Sequence, residues 1–197
     1  MRYSFTLLEF IVVVVTVGIL AGTMIPNLST DPLLDATLQV VRHFKYTQQL
    51  AMSDDRYDAE KPLWFKSMWR ISFRSNNCYL ISSNIDFNHN YDRTESAHDP
   101  LSQEYLYSNT NCEKERGDNS FMYLESYFGI SDIQLNSSCG NNKMLAFDEQ
   151  GRPHASLSKV DDLLKNICKI SLYHQTRKSV ITVQPQTGYV DFTIEDQ

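Results

Sequence analysis

Hydrophobic and polar positions divide the chain into three regimes. From Phe10 to Ile25 nearly every residue is apolar, and a carboxylate, Glu9, stands immediately before the run. Counted from Phe5 to Ile25 the stretch is 21 residues. A helix rising about 1.5 Å per residue covers about 31 Å over that length, the hydrocarbon thickness of a bilayer. The pattern therefore predicts a transmembrane helix over 5–25. Glu9 sits one turn inside it, where a charge costs roughly 2.5 to 3.5 kcal/mol and implies a partner. Gly18 and Gly22 form a small-x-x-x-small pair that lets a second helix approach closely. Pro26 removes a backbone donor just past the run and predicts a bend or a local melt.

The second regime, 26–57, has helical periodicity. Asp31 reads as an N-cap with Pro32 at the first helical position. Leu33, Leu34, Thr37, Leu38, Val41, Phe44, Gln48, Ala51 and Met52 then recur at steps of three and four, while Asp35, Gln39, Arg42, Lys45 and Gln49 fall on the other side. This is an amphipathic helix whose apolar stripe needs a sheet to cover it.

The third regime, 58–197, alternates with the period of strands. Trp64 to Arg74 and Cys78 to Ser82 flank Asn76-Asn77 and predict a hairpin. From Asn84 to Asn119 the chain is rich in Asn, Asp, Ser and Glu, which predicts a long irregular excursion. Met144 to Phe147 reads as a short strand before a Gly-containing turn. Ile167 to His174, Ser179 to Val183 and Tyr189 to Ile194 then read as an antiparallel meander.

Composition narrows the class. Without the apolar helix roughly 170 residues remain, enough for one domain with one core. Arg2 and Glu9 are the only charges before Asp31, so the net charge of −6 belongs to the remainder. An acidic domain argues against a nucleic-acid partner, whose binding depends on neutralising phosphates. Arg2 lies before the apolar run, and no basic residue follows it until Arg42. The positive-inside bias then predicts a cytoplasmic N-terminus and an exported C-terminal domain. Cys78, Cys112, Cys139 and Cys168 fit that compartment as two disulfides out of three connectivities. The preferred pairing is Cys112 with Cys139 and Cys78 with Cys168.

Catalytic and metal-binding patterns are sparse. His43, His89, His98, His154 and His174 show no ligand spacing, and no phosphate loop, nucleophile elbow or H-E-x-x-H occurs. Asp86, Asn88, Asn90 and Asp92 alternate like calcium-loop donors. Tyr91 stands where such a loop needs glycine and Ala97 where it needs glutamate, so a polar turn is the simpler reading. No cofactor is expected. Tyr105, Tyr107, Phe121, Tyr123, Tyr127 and Phe128 are either strand core or an aromatic contact surface.

Ser4-Phe5-Thr6-Leu7-Leu8-Glu9-Phe10 resembles the prepilin cleavage and methylation motif of type IV pilins and type II secretion pseudopilins, with serine before the cut where that family usually has glycine. The resemblance implies a leader of residues 1–4, cleavage between Ser4 and Phe5 by a prepilin peptidase, methylation of the Phe5 amine, and Glu9 aligning incoming subunits. The segment Leu38 to Met52, the turn Phe147 to Arg152 and the closing Ile181 to Val190 are similar to the GspH/FimT group of minor pseudopilins and pilins. The implied fold is α+β and pilin-like: a long N-terminal helix, transmembrane then amphipathic, packed on an antiparallel sheet. The implied role is a non-enzymatic subunit at the tip of a type II secretion fibre. Its partners would be other pseudopilin subunits, an inner-membrane assembly platform and the peptidase. A minor pilin that primes a type IV pilus or takes up DNA is the alternative within the family, and a membrane-anchored periplasmic protein of unrelated role is the alternative outside it. The mass of the N-terminal peptide of protein isolated from its own cell distinguishes these readings: a methylated Phe5 is expected, and an intact Met1 contradicts processing.

Overall fold

The computed structural model describes residues 6–23, 31–87 and 92–196, and the chain divides into two compact units, Met1–Thr30 and Asp31–Gln197. In the first unit a single helix, α1, spans Leu7–Thr23. The second unit begins with α2, Pro32–Ser53, followed by β1, Arg70–Phe73, and β2, Tyr79–Ser82. After a long excursion come α3, Leu124–Phe128, β3, Asp132–Leu135, β4, Met144–Phe147, and β5, Pro153–His154. The chain closes with β6, Cys168–His174, β7, Arg177–Val183, and β8, Val190–Asp196.

Two expectations about the N-terminal region are overturned. The predicted fold had one long helix on one sheet, whereas the described residues hold separate helices and two four-stranded antiparallel sheets, β2-β1-β4-β5 and β3-β6-β7-β8. Asp31 is the reason α2 is a new helix. Its backbone is extended, at φ −94° and ψ 98°, and its carboxylate caps the amides of Leu33 and Leu34. The single-pass membrane placement is overturned as well, because no helix among the described residues is long and apolar enough to cross a membrane. The 17 residues of α1 reach about 26 Å, short of a hydrocarbon core of about 30 Å. Phe5 and Pro26, which the predicted span and bend required, lie outside the described residues.

α2 lies between the sheets, touching β1 and β4 of the first and β6, β7 and β8 of the second. Its buried face is Leu33, Ala36, Thr37, Val40, Val41, His43, Phe44, Thr47 and Ala51. This face is rotated from the predicted stripe, so that Leu38 is half-buried and Met52 is exposed. Two threonines are tolerated there because each hydroxyl donates to the carbonyl one turn earlier, Thr37 to Leu33 at 2.6 Å and Thr47 to His43 at 2.7 Å.

The first sheet is buried on both faces. Ile71, Phe73, Leu145 and Phe147 join the main core under α2. Met144 and Ala146 point the other way, into a smaller cluster with Phe65, Met68 and Leu157. That outer layer explains why β1 and β4 are buried at every position.

The disulfides are Cys78–Cys112 and Cys139–Cys168, a correction of the preferred pairing. The cause is strand pairing. Leu135 of β3 lies opposite Ile170 of β6, and the chain just beyond it returns Cys139 to Cys168 at the start of β6. Bridges closing 34 and 29 residues each restrict the unfolded chain by roughly 3 to 4 kcal/mol on a loop-entropy account.

Two turns meet on one side chain of α2. Gln48 Nε2 donates to Gly151 O at 2.8 Å and to Thr187 O at 2.9 Å, joining the β4–β5 and β7–β8 connections. Gly188, at φ +64°, leaves room for this junction, since a Cβ there would lie 2.8 Å from Gly151 O. The β4–β5 turn is itself built around the buried Asp148 carboxylate, which accepts from the amides of Gln150 and Arg152, from Arg152 Nε at 2.7 Å and from His154 Nε2 at 3.3 Å. Burial alone would raise its pKa, but the bonds from His154 and Arg152 outweigh it and hold the group at about 2. Gly188→Ala should therefore lower stability by about 2 to 4 kcal/mol, through positive φ and a backbone collision together. Urea unfolding of the variant checks this, and a loss below about 1 kcal/mol would show that the junction is not constraining.

Candidate functional site

α1 begins with a reciprocal cap. Thr6 N–H donates to Glu9 Oε2 at 2.9 Å, the Thr6 hydroxyl donates to the same oxygen at 2.9 Å, and Glu9 N–H donates to Thr6 Oγ1 at 3.3 Å. This is the capping box of a Thr-x-x-Glu sequence, and the carboxylate sits at the helix end that favours negative charge. Glu9 is thus exposed and held by its own chain, where the hydrophobic pattern had suggested a buried charge in want of a partner. The signal was present in the spacing of Thr6 and Glu9 and was hidden by the apolar residues around it.

Beyond the cap, every side chain from Leu7 to Ile19 is exposed. Phe10, Val12, Val14 and Ile19, for example, are 53 to 66% accessible. An apolar helix that is exposed all round has no polar side to give to water and requires a cover. A Cβ at Gly18 would meet no atom within 4 Å, so that position is open to a neighbour. Gly22 also lies on α1. Ser4, Phe5 and Pro26 lie outside the described residues.

The other predicted positions separate. Asp86 and Asp92 flank a connection whose Ile85 and Asp86 amides donate to Glu95 Oε1, and Asn88 and Asn90 lie outside the described residues. Among the described residues no group of three His, Cys, Asp or Glu side chains is placed to hold a metal. Of the aromatic group, Tyr123 is core and donates to Asp118 Oδ2 at 2.9 Å. Tyr105 packs under the Arg93 guanidinium, which also pairs with Asp118 at 2.9 Å. Phe121, Tyr127 and Phe128 pack on one another, and Tyr127 is the exposed member, at 54%. Phe121 and Tyr127 border a groove of about 590 Å³ beside α2, where Tyr46, Asp99, Leu101 and Glu104 also face.

His43 forms part of that groove and was not singled out by sequence. It is buried, with Nδ1 2.7 Å from Tyr79 Oη and Nε2 2.9 Å from Gln39 Nε2. Because the Gln39 amide nitrogen can only donate, Nε2 accepts and the neutral ring carries its proton on Nδ1. Burial pulls its pKa down to about 4 against the attraction of Asp99, and Arg42 adds to the fall.

No family model, curated protein or solved structure matches the chain.

The His43 ring couples stability to pH. The unfolded chain binds a proton below its ordinary value of 6.5 that the folded chain refuses until about 4. The stabilisation is complete above 6.5 and is lost as pH falls through that window, by on the order of 3 kcal/mol. Urea midpoints measured across the window should fall with pH in the native chain, and His43→Gln should flatten the fall. An equal slope in the variant would assign the loss to other groups.

Proposed function

We propose that the chain is a non-enzymatic subunit of a fibre, a minor pseudopilin-like component of a type II secretion system. The observation that carries this reading is α1: a helix with apolar side chains exposed on all sides and a carboxylate fixed at its first turn. Packing against like helices of other subunits removes that apolar surface from water, at about 25 cal/mol per Å². The resemblance of Ser4 to Phe10 to the prepilin motif supports the same assignment and supplies the partners: a prepilin peptidase, an assembly platform and other pseudopilin subunits.

Glu9 gives the assembly a register. Both Thr6 bonds fall on Oε2, which leaves Oε1 to receive the Phe5 amine of a neighbouring subunit after cleavage. A charge-assisted bond of that kind is worth about 1.5 to 3 kcal/mol, and it forms only when the two helices have the correct axial stagger. The closed disulfides agree with an oxidising compartment for the second unit. Glu9→Gln, which keeps the size of the side chain and removes its charge, should reduce incorporation into sheared fibres roughly tenfold at unchanged cellular level. Unaltered incorporation would contradict the mechanism.

A further inference from the structure

The groove beside α2 brings aromatic side chains and two carboxylates to one place. Tyr46 comes from α2, Phe121 from the three-ten turn Ser120–Met122 and Tyr127 from α3. The rings of Phe121 and Tyr127 stand almost perpendicular, at 89° with centroids 5.1 Å apart, and so form a corner. Asp99 and Glu104 line the same groove from the loop that the pairing of His98 with Tyr105 closes. At about 590 Å³ the groove falls within the ~300 to 1,000 Å³ of ligand-binding pockets.

Neither carboxylate is neutralised by the chain. Asp99 Oδ1 accepts from the amides of Leu101 and Ser102, both at 2.8 Å, and Glu104 Oε2 accepts from Ser102 Oγ at 3.2 Å. Among the described residues neither acid makes an ion pair, and Asp99 Oδ2 and Glu104 Oε1 accept no hydrogen bond. Arg42 is the one cation among the lining residues and His43 is neutral above about 4, so the wall keeps a net negative charge. The matching occupant is a cation with N–H donors and a flat face. A quaternary ammonium brings no donor for the two oxygens, and a lysine ammonium is a compact, strongly hydrated charge. A guanidinium is planar, stacks on aromatic faces and donates in a fork to carboxylates. Leu101 indicates what carries it: the side chain is 95% accessible at the loop tip. A small ligand inside the groove leaves it in water, whereas a polypeptide crossing the rim covers it.

We infer that this groove docks an arginine side chain of a partner polypeptide. The guanidinium stacks on the corner of Phe121 and Tyr127 and donates to Asp99 and Glu104, while apolar residues beside the arginine cover Leu101. Every residue of the surface belongs to the second unit, and the inference rests on neither α1 nor the fibre assignment.

Calorimetric titration of the full chain with the tripeptide N-acetyl-Leu-Arg-Leu-amide should saturate with a Kd near ~1 mM. The same peptide with citrulline, which keeps the shape of arginine and loses its charge, should bind at least about tenfold more weakly. The lysine peptide and free L-arginine should each be severalfold weaker. Asp99→Asn together with Glu104→Gln keeps the acceptors that hold the loop and should reduce peptide binding about tenfold. If that pair fails to fold, Glu104→Gln alone decides, with a severalfold loss expected. Leu101→Ser should weaken the peptide severalfold and leave free arginine unchanged. No saturation by ~20 mM peptide, equal binding of the citrulline or lysine peptide, free arginine as tight as the peptide, or unaltered peptide binding in the carboxylate or Leu101 variants would each overturn the proposal.

Discussion

The amide of Gln48 joins what the chain keeps apart. Its two hydrogen bonds hold the β4–β5 turn of one sheet and the β7–β8 turn of the other against α2, so the helix acts as the common wall of both. The helix face determines the rest of the second unit. Phe44 packs on Phe73, which stacks on Tyr79, and Tyr79 reaches back to His43 one residue from where the sequence of contacts began. Gln48, Gly151 and Gly188 meet at this junction. The junction consists of a donor from the helix and two glycine-containing turns shaped to receive it.

α1 poses the opposite problem. The second unit buries its apolar residues internally, whereas α1 leaves its own exposed and satisfies only its polar end, through Thr6 and Glu9. A capped apolar helix is stable in its hydrogen bonds and unstable in its surface. The proposed assembly with other helices would resolve that conflict.

Local patterns were legible and non-local pairings were not. Asp31-Pro32 announced the start of α2, Met144 to Phe147 coincides with β4, and the last three strands follow their alternation to within a few residues. Strand β5 has two residues and β3 shows only one buried position, so neither has a period to read. The division into two sheets depends on β4 pairing with β1 across more than seventy residues, a choice that alternation does not encode. Disulfide pairing follows that topology and shared its obscurity. The burial of His43 was not legible, because a lone histidine on a helix looks the same whether it faces water or Tyr79. The prediction of a span is overturned by length: among the described residues α1 covers the 17 residues Leu7–Thr23, and no helix is long and apolar enough to cross a membrane.

The claim that α1 is covered by the helices of other subunits is tested most directly by placing a photo-crosslinking residue at position 18, where a neighbour has room and the native fold loses no contact. Irradiation in the cell of origin, followed by mass spectrometry of the products, should give crosslinks to the N-terminal apolar segments of other subunits, clustered at one axial stagger. Crosslinks confined to lipid, or to the chain's own second unit, would contradict the account.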